Sequence, residues 1–247
     1  MKKFQDKVVV ITGGNSGIGY AAAKEFISEG AKVIITGRRK DALDKAAQEL
    51  GATGLLADQG SVRDITALAE SVKELHGRVD TLFINAGVAF MGPIEHATEE
   101  QFDAMTDINF KGSFFTLQKF IPLLNDGASV IFLSTNATAI NMPGTGIYAT
   151  GKSAVTHLAR IAAKELAPRK IRVNTVSPGP TETEIMSKSG LDADTLAAMT
   201  EGIKSQVLLG RMGNPGEIAK LVASLADDSV SSFITGTDIF IDGGLAL

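Results

Sequence analysis

Val8-Val9-Val10-Ile11-Thr12 runs straight into Gly13-Gly14-Asn15-Ser16-Gly17-Ile18-Gly19, and that junction decides the fold. A run apolar at every position, rather than at alternate ones, reads as a strand buried on both faces. The residues that follow, 18–28, carry a helical pattern. Glycines spaced Gly-x-x-x-Gly-x-Gly between a strand and a helix permit a tight turn and let the backbone approach a pyrophosphate. Its charge would sit against the N–H groups and the positive dipole end of the helix. The turn therefore predicts a dinucleotide cradle made by Gly13, Asn15, Ser16, Gly17, Ile18 and Gly19.

Further short β-branched runs recur at 33–36, 55–57, 81–84, 130–133, 171–176 and 239–241, giving seven strands. Amphipathic stretches at 42–50, 65–75, 99–124, 148–166 and 216–225 lie between them. Doubly buried strands need helices on both sides of a parallel sheet, so the expected fold is a Rossmann-like, doubly wound α/β sheet of seven strands. No repeat, low-complexity tract or linker divides the 247 residues, and one domain is expected over 1–247. After Pro178-Gly179-Pro180 the rhythm breaks: residues 181–209 hold a helix-like stretch at 193–199 but no strand. A long insert of that kind predicts a substrate lid.

With 28 acidic and 24 basic residues in no runs of one sign, the charge balance argues against nucleic acid or an anionic membrane as partner and favours a small molecule. The absence of cysteine excludes disulfides and thiolate chemistry, and His76, His96 and His157 lack metal-ligand spacing, so no metal is expected. No apolar run approaches the roughly twenty residues of a membrane span. The cytoplasm is the expected location.

The second strand ends Thr36-Gly37-Arg38-Arg39. An acid at this tip would bind the adenine ribose and favour NAD; two arginines instead suit a 2′-phosphate, so NADP(H) is expected in preference to NAD(H). Tyr148 and Lys152, an i, i+4 pair only about 40° apart around a helix, share a face, whereas His157 lies on the opposite side. A cation beside a phenol favours phenolate and lowers a pKa of about 10, which suits proton transfer. A rival match covers the same residues: Gly146-Ile147-Tyr148-Ala149-Thr150-Gly151-Lys152-Ser153 satisfies the P-loop pattern, but no strand leads directly into it.

Taken in order, these motifs resemble the short-chain dehydrogenase/reductase family, in its single-domain branch, over essentially the whole chain. The resemblance covers Thr12-Gly13-x-x-x-Gly17-Ile18-Gly19, Asn85-Ala86-Gly87, Asn109, the Tyr148/Lys152 pair, Ile171-Arg172-Val173-Asn174, Pro178-Gly179 and Asp242-Gly243-Gly244. It implies that Asp58, with Gln59 beside it, lies at the adenine; that Gly87 and Pro178 floor the nicotinamide site; and that Thr181 and Thr183 hold the carboxamide. Asn109, Tyr148 and Lys152 match catalytic positions. The family's usual serine, thirteen residues before the tyrosine, is here Thr135, with Ser134 next to it. Since a strand sends alternate residues to opposite faces, only one of the two can reach the substrate, and Thr135 is favoured. A basic residue common in NADP-using relatives is replaced by Ser16, so the NADP expectation rests chiefly on Arg38.

The resemblance implies an enzyme that moves a hydride between nicotinamide and a carbonyl or alcohol carbon. Tyr148 would donate the proton, Lys152 would lower its pKa and hold the ribose, Thr135 would polarise the carbonyl, and Asn109 would hold a water. The alternatives are a dinucleotide-binding sensor without catalysis, and an ATP-binding P-loop hydrolase. Phe90, Met91, Met142, Met186 and Leu191 suggest a nonpolar substrate. Surplus apolar residues along 101–124 and 148–166 suggest subunit pairing, as dimer or tetramer.

Overall fold

The computed structural model describes residues 2–182 and 200–247. Each apolar run becomes a strand: β1 (Val8–Ile11), β2 (Lys32–Gly37), β3 (Thr53–Leu56), β4 (Val79–Ile84), β5 (Leu124–Leu133), β6 (Arg172–Pro178) and β7 (Asp238–Ile241). They form one sheet in the order β3-β2-β1-β4-β5-β6-β7, with every pairing parallel. The doubly wound α/β expectation is met.

The helices used below are α1 (Gly17–Ser28), α2 (Lys40–Leu50), α3 (Val62–His76), α4 (Glu99–Met105), α5 (Gly112–Phe120), α6 (Ala137–Ile140), α7 (Gly146–Leu166) and α8 (Pro215–Ala226). Why two helical layers are required is visible within β1 itself. Val8 and Val10 point into one core with Leu68 and Val72 of α3, Phe120 of α5 and Val155 and Ala159 of α7. Val9 and Ile11 point into the other, with Phe26 of α1, Leu43 of α2 and Ile218 and Val222 of α8. Each such side chain contributes about 1.5–3 kcal/mol when fully buried, so neither sheet face can be left to solvent.

The chain winds outward in both directions from β1 and β4. At this reversal of strand order the loops after the two strands diverge and leave a crevice at the carboxyl edge, where ligands of such sheets bind.

Three expectations need correction. The third strand begins at Thr53 and ends at Leu56, because it pairs with β2 from Ile34↔Thr53 onward. The fifth begins at Leu124, six residues early; Asn125, Asp126 and Gly127 hide its start in the sequence. The stretch 99–124 is not one helix. After α4 comes a π-helical segment, Thr106–Lys111, then α5, then a 3-10 turn, Ile121–Leu123, containing Pro122. Gly112 keeps helical φ and ψ of −60° and −41° and passes so close to the chain after β3 that a Cβ there would lie 2.1 Å from the Gln59 carbonyl oxygen. The helix-like stretch 193–199 and most of the expected lid lie outside the described residues. No described helix is long and apolar enough to cross a membrane.

Candidate active site

The glycine turn after β1 is shaped for close backbone approach. Gly13 and Gly17 have positive φ, of 67° and 55°. A Cβ on Gly14 would meet Ile35 at 2.5 Å, and one on Gly19 would lie 2.2 Å from the Gly13 carbonyl oxygen. Thr12 and Asn85 clamp the turn to the end of β4. The Thr12 hydroxyl accepts from the N–H groups of Asn85 and Ala86, both at 3.0 Å, and the Asn85 amide donates to the carbonyls of Thr12 and Gly13. Ser61, Thr98 and Asn214 cap α3, α4 and α8 with their side chains, whereas Ser16 makes no side-chain cap bond on α1. The first turn of α1 thus keeps N–H donors for an anion. A tight, Cβ-free cradle with open donors fits the pyrophosphate of a dinucleotide.

At the tip of β2, Gly37 packs so closely on Asn15 that a Cβ would lie 2.8 Å from its Oδ1. Arg38 and Arg39 follow, both exposed, and among the described residues neither has a carboxylate partner. Asp58 accepts from the Gly60 N–H at 2.9 Å at the carboxyl end of β3. Gln59 is brought near but turned away: its side-chain amide donates to Thr116 on α5, inside the core.

The chemistry-bearing side chains gather around the ends of β4 and β5. Thr135 follows β5; its hydroxyl accepts from the Ala137 N–H at 3.2 Å and lies close enough to the Tyr148 phenol to act on its pKa. Ser134 faces the other way. Its hydroxyl donates to the Lys152 carbonyl at 3.3 Å and accepts from Thr156 at 3.1 Å, all within the buried seam between β5 and α7. Of the two hydroxyls, only that of Thr135 is beside Tyr148.

Lys152 is 4% exposed, and its ammonium donates to the Leu133 carbonyl at 2.7 Å. Burial lowers its pKa to about 8. Burial likewise pushes the Tyr148 phenol up from its ordinary value, with the Thr135 hydrogen bond acting the other way. The ammonium charge is directed at the Leu133 carbonyl. Gly87 lies under both Lys152 and Asn109: a Cβ on it would be 3.4 Å from Lys152 Nζ and 2.9 Å from Asn109 Oδ1. The Asn109 amide is occupied by backbone, accepting from the Val88 N–H at 2.9 Å and donating to the Val88 carbonyl at 2.8 Å. It holds the loop after β4 as a neighbouring strand would. The π-helical segment that carries Asn109 leaves it 1% exposed.

Beyond β6, Asn136 N–H donates to the Pro178 carbonyl at 2.9 Å and Gly179 N–H to the Ile241 carbonyl at 3.1 Å. Thr181 forms a bridge with Gly213. Thr183, Met186 and Leu191 lie outside the described residues. The loops after β4 and β5 are stitched together by the Gly92 N–H donating to the Gly144 carbonyl at 2.9 Å. Beside this stitch is a pocket of about 220 Å³ lined by Phe90, Met91, Pro93, His96, Met105 and Ile147, among others. Met142 is exposed and does not line it. All eight residues of the P-loop pattern lie within α7, so their backbone is helical and cannot wrap a phosphate.

Sequence reasoning missed the second row of hydroxyls. Thr156 sits one turn beyond Lys152 on the same face, and that i, i+4 spacing was its available signal.

A family model described as Enoyl-(Acyl carrier protein) reductase matches residues 13–246. The chain is 39% identical over 251 aligned residues to Oxidoreductase asL5 of Sarocladium schorii, covering 100% of this chain and 98% of the relative. It is 34% identical over 253 aligned residues to the NADP-dependent (R)-specific alcohol dehydrogenase of Lentilactobacillus kefiri, covering 98% and 97%. The solved Pseudomonas aeruginosa RhlG/NADP active-site complex is similar in fold, with a TM-score of 0.91 at 29% identity, covering 100% of this chain and 99% of that one.

Proposed function

The chain belongs to the short-chain dehydrogenase/reductase family of oxidoreductases, and from that premise we propose that it is an NADP(H)-dependent enzyme interconverting a nonpolar ketone or aldehyde with its alcohol. The observation that carries the reading is the convergence, past the carboxyl end of β5, of the Thr135 hydroxyl and the Tyr148 phenol, with Gly87 beneath the buried Lys152 and Asn109. Two hydroxyls side by side can both address one carbonyl oxygen, Thr135 by polarising it and Tyr148 by delivering the proton.

Bound nicotinamide would supply the hydride. Gly13, Gly17 and Gly19 would admit its pyrophosphate, Arg38 and Arg39 the 2′-phosphate, Asp58 the adenine, and Lys152 the ribose hydroxyls over Gly87. Pro178, Gly179, Thr181 and Thr183 would border the carboxamide. Burial raises the Tyr148 phenol from its ordinary value, which favours the protonated form that donates when a carbonyl is reduced. In the reverse direction phenolate Tyr148 accepts the proton, and the positive charge of Lys152, one turn further along α7, favours the phenolate. Asn109 fixes the loop after β4 that borders the reacting atoms.

An NADP-dependent alcohol dehydrogenase and an NADP complex among the similar proteins support the cofactor assignment. Phe90, Met91 and Ile147 beside the site support an apolar substrate. A homo-oligomer is part of the same proposal, supported by exposed Phe102, Phe114 and Ile161 on the helices of the α4 to α7 side. NADPH consumption against a panel of aliphatic and aromatic ketones and aldehydes tests the reading. Tyr148→Phe should bind NADPH as the natural protein does and lose turnover by about a thousandfold or more. A variant retaining most of its turnover overturns the assignment.

A further inference from the structure

Asp242 stands immediately after β7, where the chain turns into its last five residues. Its carboxylate is shared among three donors. Oδ1 accepts from the Gly244 N–H at 3.0 Å, while Oδ2 accepts from the Ala246 N–H at 2.9 Å and from the Asn136 side-chain amide at 3.3 Å. Asn136 is the residue after Thr135. Besides holding the Pro178 carbonyl through its N–H, it offers its own carbonyl to the N–H groups of Ala139 and Ile140 in α6.

The backbone side of Asp242 presses on Gly179, where a Cβ would lie 2.6 Å from the Asp242 Cβ and 2.7 Å from its Cα. One residue further, the Gly243 carbonyl accepts from the Leu209 N–H at 3.2 Å. One carboxylate therefore sits where the loop bearing Thr135, the Pro178-Gly179 turn and the chain end all meet.

We propose that Asp242 is a positioning residue for the carbonyl-binding hydroxyl: acting through Asn136, it holds Thr135 in register with the Pro178-Gly179 turn. The inference rests on the reading in which Thr135 meets the substrate oxygen. Its physical basis is that an ionised carboxylate is acceptor-only and can serve all three donors at once. An amide in its place offers one oxygen, and whichever way it turns, its own N–H groups face at least one of those donors. The backbone bonds of Pro178 and Gly179 do not pass through the carboxylate, so the turn itself keeps its hold.

Asp242→Asn in the full-length protein is the test, with the exchange of swapped partners, Asn136→Asp/Asp242→Asn, as the rescue. Amide hydrogen exchange at Ala139 and Ile140 should speed up about tenfold in Asp242→Asn, while β1 and β4 keep their protection. The double variant restores an acceptor opposite an amide between positions 136 and 242, and should return that exchange toward the natural rate. In carbonyl reduction, kcat should fall about tenfold to a hundredfold while NADPH affinity stays within about threefold, and the double variant should recover most of kcat.

Unchanged exchange at Ala139 and Ile140, loosening spread over the whole sheet, or a double variant no better than the single one would each overturn the inference. So would a kcat within about twofold of the natural enzyme. If the natural protein reduces no carbonyl compound, the proposed reaction falls, and the exchange measurement still decides whether Asp242 holds the Thr135 loop.

Discussion

The ammonium of Lys152 donates to the carbonyl of Leu133, 2.7 Å away, at the end of the strand that leads into Thr135. The bond gives the buried charge one partner but not a counter-ion, and burial lowers the pKa to about 8 from an ordinary 10.5. Below pH 8 both folded and unfolded chains hold this proton, and the folded state bears the full desolvation penalty. Between pH 8 and 10.5 the unfolded chain binds the proton and the folded one releases it, so stability rises with pH across that window. The contribution is on the order of 3 kcal/mol. Lys152→Met should lack this slope while losing turnover. Denaturant titrations at pH 7, 9 and 10.5 measure it, and parallel pH profiles for the two proteins would show that Lys152 is not buried in its charged form.

Thr135 and Ser134 are adjacent hydroxyls with opposite duties, and substitution should separate them. Thr135→Val keeps the shape but removes the donor beside Tyr148, so kcat/KM should drop about a hundredfold or more. Thr135→Ser should remain within about threefold of the natural enzyme, since the hydroxyl is kept. Ser134→Ala removes a bond to the Lys152 carbonyl and should cost about 1 kcal/mol of stability with little effect on rate. Steady-state kinetics beside thermal denaturation check all three. A larger rate loss in Ser134→Ala than in Thr135→Val would reverse the assignment.

The parts of this site legible in the sequence were those that depend on backbone placement. An all-apolar run such as Val8-Val9-Val10-Ile11 has to be buried on both faces, so the turn after it falls at the sheet's carboxyl edge. The i, i+4 spacing likewise put Tyr148 and Lys152 on one face. Side-chain direction was not legible in the same way. Gln59 stands beside Asp58 in sequence but donates to Thr116 on α5, and Lys152 donates to the Leu133 carbonyl, because a buried donor has to find an acceptor and which one it meets is set by the tertiary packing. The close pass of Gly112 over the Gln59 carbonyl was not legible either, being a contact between segments more than fifty residues apart that no local pattern encodes.

Arg38 tests the cofactor assignment. It is exposed at the tip of β2, without a carboxylate partner among the described residues, so removing it breaks no ion pair that the fold uses. Arg38→Ala should raise the KM for NADPH about tenfold to a hundredfold and leave that for NADH nearly unchanged. Arg39 occupies the N-cap position of α2, and Arg39→Ala should have the smaller effect. Equal losses with both cofactors would count against a 2′-phosphate contact at Arg38.

Two glycines make opposite predictions, and together they separate the dinucleotide turn from the P-loop pattern. A Cβ on Gly19 would lie 2.2 Å from the Gly13 carbonyl oxygen and 2.6 Å from the Asn85 amide nitrogen that clamps the turn. The Gly13 carbonyl cannot yield without moving the backbone, and the Asn85 amide cannot without loosening the clamp, so Gly19→Ala should cost about 1–3 kcal/mol and weaken NADPH binding. Gly151 lies inside α7 with nothing within 4 Å of the same added atom. Alanine there replaces a residue whose backbone freedom opposes the helix, and Gly151→Ala should stabilise the protein by about 0.5–1 kcal/mol. It also destroys the Gly-x-x-x-x-Gly-Lys-Ser pattern, so unchanged NADPH turnover in this variant is the expected result. Loss of function in Gly151→Ala with an intact fold, together with ATP binding by the natural protein, would return the phosphate site to α7 and take it away from the turn after β1.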